Sequence, residues 1–405
     1  MTVKPESVGM SSTQLTHIDS FLKPNYVDKQ KIAGCLTLVA RRGEIVHLSP
    51  LGLMDIGRNI PMREDTLFRI YSMSKPITSV ALMTLYEKGL FQLSDPVHKF
   101  IPQWRNLRVF ASGVHPNFIT APLKRPMTVR DLMTHQSGLT YGFMNRSNVD
   151  HAYRKLKIGE RHSTTLKETV EQLAHVPLEF SPGDYWNYSI STDILGYLVE
   201  VMSGMPFDQY LKTRIFDPLK MTDTGFDVPA HQKERLAACY QRGLDKKLHV
   251  QDDPENSPYL KPAVFFSGGG GLVSTAHDYF KFCQMLLNGG ELDGARILGR
   301  KTLQLMTLNH LPHGKDIKES SFGSFSEIPM EGSGFGLGFS VIQDQAKSQQ
   351  IGDTGEFAWG GAASTIFWIN PKEQLLVIFM TQLMPSATFD FRGQLKNIIY
   401  PAIMD

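Results

Sequence analysis

The sequence predicts an α/β chain in which one central antiparallel sheet is assembled from both ends of the polypeptide, with helices flanking it and a mainly helical region inserted between the ends. Three observations carry this expectation. Strand patterns cluster near the termini, helix patterns fill the middle, and a serine and a lysine three residues apart open an apolar helix just after the first strands. The expected partition is an α/β region of residues 1–78 and 215–405 around a mainly helical region of 79–214. A cleft belongs at their junction.

Leu15, Ile18, Phe21 and Leu22 mark an amphipathic helix that Pro24 terminates. Residues 34–40 and 44–48 are strand patterns joined at Arg41-Arg42-Gly43, which reads as a hairpin. A strand-like stretch, 66–71, leads into the helix of Ile77, Val80, Ala81, Leu82 and Leu85, closed by Gly89. Helices follow at 129–134, 165–175, 192–202, 207–215 and 279–287. Gly268-Gly269-Gly270-Gly271 is followed by no G-K-[ST] and opens no G-x-G-x-x-G, so it reads as a close backbone approach beneath the cleft rather than a phosphate loop. Strand runs at 364–369 and 375–381 flank the turn Asn370-Pro371-Lys372-Glu373, and a helix spans 389–404 up to a break at Pro401.

The chain has 405 residues, long enough for one large core or two closely packed regions. Forty-two basic against forty acidic residues leave a net charge of +2 with no basic stripe, so neither nucleic acid nor a membrane surface is an expected partner. Cys35, Cys239 and Cys283 stand apart with no C-x-x-C spacing, which suggests neither a disulfide framework nor a zinc site and fits a reduced, cytoplasmic setting. The N-terminus lacks an apolar signal core and no long apolar span occurs, so a soluble, unexported protein is expected. His310-Leu311-Pro312-His313 does not read as a metal site, because the proline interrupts any helix that would align the two imidazoles. No metal or organic cofactor is expected.

The chemistry centres on Ser72-Met73-Ser74-Lys75. Residues at i and i+3 share a helix face, which sets the Lys75 amine beside the Ser72 hydroxyl, and an amine with a lowered pKa is one means of activating a serine. The S-x-x-K pattern is the nucleophile motif of class A β-lactamases and penicillin-binding proteins. It occurs a second time at Ser20-Phe21-Leu22-Lys23, but there the serine lies in the last turns of its helix, a solvated position. Ser72 lies at a helix start, where its own N–H can meet developing negative charge. Tyr188, at a loop-to-helix junction after Ser181-Pro182-Gly183, is the candidate third group. A phenol with an ordinary pKa of about 10 serves as a base only if a cation such as Lys75 stabilises its phenolate, or else it relays a proton without resting as an anion. His135, in the turn Thr134-His135-Gln136-Ser137-Gly138, ranks below it.

Ser72-Met73-Ser74-Lys75, residues 131–139, Pro182-Gly183 with Tyr188-Ser189, residues 267–275 and Trp359-Gly360-Gly361 together resemble the family VIII carboxylesterases. These serine esterases are related to class C β-lactamases and D-Ala-D-Ala carboxypeptidases. The resemblance runs from about Ala33 to Thr381 in the family's order. It implies the β-lactamase/DD-peptidase-like fold, Ser72 as nucleophile, Lys75 and Tyr188 as its activating pair, an oxyanion hole formed by the N–H groups of Ser72 and Ala362, and a structural role for the His135 segment.

Two departures from the class C β-lactamases bear on substrate. Where those enzymes place an asparagine after the tyrosine, Ile190 stands here, and Trp359-Gly360-Gly361 fills the place of their lysine-threonine-glycine motif; Asp353-Thr354-Gly355 is closer in letters but offers an aspartate. An uncharged ester is therefore expected over a penicillin-like anion, with Trp359, Gly360, Gly361 and Ile190 beside the substrate. Tyr141, Phe143 and the Phe335-Gly336-Leu337-Gly338-Phe339 run are candidates for an acyl pocket, with core packing the alternative. The leading function is a carboxylesterase acting on short- to medium-chain acyl esters. A β-lactamase, D-amino peptidase or acyltransferase of the same fold is the close second, and a catalytically silent penicillin-recognising protein the third.

Overall fold

The computed structural model describes residues 2–323, 325 and 328–405. The two ends of the chain meet in a single sheet. Its strands in chain order are β1 (Gly34–Arg41), β2 (Glu44–Asp55), β3 (Ile60–Pro61), β4 (Ser333–Phe335), β5 (Ser340–Ile342), β6 (Phe357–Gly360), β7 (Ile366–Asn370) and β8 (Leu375–Thr381). Across the sheet they run β4-β5-β6-β7-β8-β1-β2-β3, every neighbouring pair antiparallel. The hairpin expected at Arg41-Arg42-Gly43 joins β1 to β2, and β1 pairs with β8 from Cys35↔Thr381 to Arg41↔Leu375.

Both β1 and β8 are buried along their whole length, because helices cover the sheet on both faces. Alternation divides the side chains. Cys35 and Val39 of β1 with Val377 and Phe379 of β8 pack under α1 (Ser12–Leu22) and the C-terminal helix, which spans Phe391–Ile399. Leu36, Leu38, Leu376 and Ile378 face the larger core, which contains α2 (Ser74–Tyr86), α3 (Ser191–Ser203) and α4 (Ala276–Leu287). Burying each such aliphatic side chain stabilises the fold by roughly 1.5–3 kcal/mol. Almost every residue of α2 is buried, so it is a core helix, packed on α3.

The structure refines several sequence expectations. Of the stretch 66–71, only Phe68–Arg69 is strand, paired with Val273–Ser274. Helix α2 runs unbroken through the 78/79 boundary drawn between regions. The region read as helical also holds a hairpin, Arg108–Val114 with Asn117–Pro122, which does not join the sheet. Its apolar side chains are only partly buried, leaving Val114 and Ile119 exposed, so it carries no clear core-facing pattern. Among the described residues no helix is long and apolar enough to cross a membrane.

Where β6 ends, Gly361 crosses close to the turn that precedes α2. A Cβ placed there would stand 2.3 Å from Thr365 Oγ1 and 2.4 Å from the Ile70 carbonyl oxygen. Gly361→Ala is therefore expected to lose about 1–3 kcal/mol of stability in urea titrations, the usual scale of overpacking. It should also lose activity through displacement of the adjacent Ala362.

Candidate active site

Ser72 does not open α2 directly. It sits in a 3-10 turn, Tyr71–Met73, immediately before it. That turn is held from several sides: the Ile70 N–H donates to the Leu272 carbonyl (3.1 Å), the Leu272 N–H to Ser74 Oγ (3.2 Å), and the Tyr279 hydroxyl to the Met73 carbonyl (2.9 Å). Beneath it the buried Arg69 pairs with Asp252 at 2.6 Å. With so many ties, Tyr71 is kept at φ +41°, a left-handed conformation that bulky residues rarely adopt, and such strain clusters at functional sites.

Lys75, one turn on, is 2% exposed. Its ammonium donates to the Gly269 carbonyl (2.8 Å), to the Tyr141 hydroxyl (3.0 Å) and, at 3.4 Å, to Ser72 Oγ. The Tyr188 hydroxyl donates to the same Ser72 Oγ at 2.5 Å, and Lys75 Nζ lies 4.3 Å from the Tyr188 ring centre. The structure thus brings Ser72, Lys75 and Tyr188 into one cluster. Ser20, by contrast, lies on α1, on the opposite face of the sheet.

Behind Lys75 stands Asp193, in the first turn of α3 and buried. It accepts from Ser267 Oγ (2.5 Å) and the Gly269 N–H (3.0 Å), with the Tyr141 hydroxyl at 3.4 Å. Burial raises its carboxyl above the ordinary value, and the Lys75 cation opposes that rise. The glycine run makes the close approach expected of it, since a Cβ on Gly269 would stand 2.5 Å from Asp193 Oδ2. Asp193 carries no sequence signal of its own: an acidic residue at a helix start ordinarily reads as a favourable interaction with the helix dipole.

His135 packs against the Tyr188 ring with centres 5.1 Å apart, and its Nδ1 lies 3.2 Å from Ser189 Oγ. Burial, then the nearby Lys75 cation, holds its pKa well below the ordinary range, so the ring is neutral. His310 instead contacts the Leu305 carbonyl at 2.8 Å, and among the described residues no group of three or more histidine, cysteine or acidic side chains is placed to hold a metal. Asp353 is engaged with Lys372 and Asn370 at the far end of β7, away from Ser72.

Ser72 opens into a cavity of about 470 Å³, which Ala362, Tyr141 and Phe143 also line. Among the described residues, neither the Ser72 N–H nor the Ala362 N–H is taken by a backbone carbonyl. The other expected substrate contacts lie elsewhere. Trp359 is fully buried, its ring 5.7 Å from that of Tyr188 and 5.3 Å from that of Phe335, because the alternation of β6 turns it into the larger core. Gly360 and Gly361 pass behind the lining, and Ile190 packs beneath Gly159. Phe335, Leu337 and Phe339 are core residues. The apolar wall comes instead from Tyr71, Tyr259, Phe265, Phe325 and Met384. One charged side chain among the described residues reaches the lining, Arg161, which the sequence hides in a polar loop.

A family model described as Beta-lactamase matches residues 20–397. Protein Rv1367c of Mycobacterium tuberculosis is 36% identical over 90% of this chain and 89% of its own. Esterase EstB of Burkholderia gladioli is 29% identical over 87% and 86%. Among solved structures, EstCE1, described as a hydrolase with promiscuous acyltransferase activity, superposes with a TM-score of 0.80 at 25% identity, covering 96% of this chain and 99% of that one. The architecture expected of the chain is that of these proteins.

The neutral state of buried His135 and His310 links stability to pH. Both have folded-state pKa values below the ordinary 6.5, so their contribution is complete above that value and is lost as pH falls beneath it. Each adds to the slope between the ordinary value and its own folded pKa, with about 1.4 kcal/mol per pH unit as the upper limit for one group. Urea titrations from pH 7.5 to 5.5 should show the decline, and His135→Gln should flatten it, whatever that change costs at pH 7.5.

Proposed function

Because this chain belongs to the beta-lactamase family and has its serine-hydrolase fold, we propose that it is a carboxylesterase acting on short- to medium-chain acyl esters through an acyl-enzyme on Ser72. The observation that carries this reading is the 2.5 Å contact of the Tyr188 hydroxyl with Ser72 Oγ, with Lys75 Nζ against both groups. In this mechanism the Tyr188 and Lys75 unit reacts when it holds one proton fewer, as a phenolate beside the ammonium or a phenol beside the neutral amine, and Ser72 Oγ attacks the ester carbonyl while its proton passes to that unit. The N–H groups of Ser72 and Ala362 hold the oxyanion. The same unit then protonates the departing alcohol, and a water activated in the same way releases the acid and restores Ser72.

Support comes from the names of two relatives, one an esterase and one a hydrolase that also transfers acyl groups. The largely apolar cavity suits an acyl chain. Its apolar walls also favour an alcohol competing with water for the acyl-enzyme, so transfer to added alcohols is a second reading of the same site.

Ser72→Ala should abolish hydrolysis of p-nitrophenyl butyrate, a loss on the order of 10⁴-fold or more, while Ser20→Ala leaves it nearly intact. Retained activity in folded Ser72→Ala protein would end the assignment. Lys75→Ala and Tyr188→Phe should each lower turnover severely, and the double variant should cost far less than the product of the two defects, because residues acting as one proton-transfer unit are not additive. Defects that multiply would mean the two groups act independently.

A further inference from the structure

Arg161 is tied into the protein by one side of its guanidinium. Its Nη2 donates to Asp227 Oδ1 (2.5 Å) and to the Phe226 carbonyl, its Nε to the Pro258 carbonyl (3.2 Å), and the group lies over the Tyr259 ring with its carbon 4.3 Å from the ring centre. These bonds fix the plane of the fork. They also leave one nitrogen over: no described residue accepts a hydrogen bond from Nη1, and that nitrogen is not sealed inside the protein.

The surroundings of Arg161 are one-sided. Arg161 belongs to the lining of the Ser72 cavity, but its counter-ion Asp227 does not and opens on a separate groove beside Phe226. Ser72 and Arg161 therefore share one apolar chamber, and among the described residues no carboxylate lines it. Burial pulls the Arg161 pKa below the ordinary guanidinium value, with Tyr259 and Asp227 offsetting part of that fall. A rigid, partly desolvated guanidinium with Nη1 left over offers a charge-assisted donor to one oxygen of an anion.

We propose that Arg161 is a specificity-determining residue that binds a carboxylate at the far end of the substrate, making half-esters of dicarboxylic acids and similar acid-bearing esters the preferred substrate class. This rests on the esterase reading and departs from the expectation of an uncharged substrate. The penicillin-like anion excluded there would have paired with a cation at the position of Trp359, whereas this cation approaches from the loop that follows Gly159. A structural clamp would account for the bonds to Asp227, Phe226 and Pro258. It would not account for an Nη1 without an acceptor on the one charged residue that lines the chamber among those described.

The test is a series of mono-p-nitrophenyl esters of adipic, suberic and sebacic acid, each compared with the p-nitrophenyl alkanoate of equal chain length. An apolar chamber without a recognising cation rejects the charged member of every pair, because an unpaired carboxylate loses its hydration on entering. The expected result is that at one or more lengths the half-ester has the higher kcat/KM, by about 10- to 100-fold, the value of one charge-assisted hydrogen-bonded pair. Methylation of the distal carboxylate should remove the advantage. In Arg161→Gln the ratio of half-ester to alkanoate should fall toward or below one; a purely structural defect lowers both substrates together and leaves the ratio in place. If Arg161→Gln does not fold, Arg161→Lys decides, with a ratio severalfold lower expected. A wild type that disfavours the half-ester at every length, or a ratio that survives the substitution, overturns the proposal while leaving the esterase reading intact. Failure to hydrolyse either member of any pair would instead count against the esterase reading.

Discussion

A lysine ammonium held almost out of water beside a serine is the constraint around which this site is arranged. Removing such a charge from solvent costs several kcal/mol unless acceptors replace its hydration. The protein replaces them with the Gly269 carbonyl, the Tyr141 hydroxyl and the face of Tyr188. Each replacement imposes a demand of its own. The Gly269 carbonyl reaches Lys75 only because residue 269 has no side chain to strike Asp193, and Asp193 in turn holds the Gly269 N–H, so one glycine presents its carbonyl to the cation and its amide to the carboxylate. His135 lies within the field of the same cation and stays neutral, which leaves it to pack against Tyr188 rather than to take up protons.

The sheet answers a different requirement, that of bringing distant segments to the serine. Ser72 follows the N-terminal strands, whereas Ala362 follows β6 near the other end of the chain. The β1 to β8 ladder fixes the register between the two halves, and β7 and β6 carry that register onward to Gly361. At its end the chain passes the Ile70 carbonyl at a distance that only glycine tolerates. A one-residue slip anywhere in this ladder would turn side chains to the wrong face and move Ala362 relative to Ser72. Fully buried central strands, with different cores on their two faces, are what oppose such a slip.

Much of this is legible in the sequence because it is written in local patterns. The hairpin at Arg41-Arg42-Gly43, the strands flanking Asn370-Pro371 and the apolar helix after Ser72 are visible as alternation, turn chemistry and helical spacing, and they lie where those patterns place them. What is not legible depends on side-chain direction over long separations. Trp359 stands in a motif next to Ala362, yet the pleat of β6 sends its ring into the core, and no letter of the motif reveals which way the pleat points. Asp193 and Arg161 carry no local pattern beyond a helix start and a polar loop. Their positions follow from how α3 meets the glycine run and how the loop after Gly159 folds onto Tyr259, both products of tertiary packing.

The cluster around Ser72 and most of the cavity wall therefore come from different parts of the molecule. Ser72, Lys75, Tyr188 and Asp193 belong to the ends of two core helices and the turns before them, where packing is dense and substitution costly. The cavity is drawn largely from loops, around residues 141–143, 159–161, 259–271 and 384–386. Loops tolerate change, so the cavity wall can vary while the geometry of the Ser72 cluster stays fixed. Tyr141 joins the two parts. Its hydroxyl receives the Lys75 hydrogen bond, while its ring stacks on the exposed Phe143 with centres 4.7 Å apart. One aromatic side chain thus spans the distance from the outer cavity to the buried ammonium.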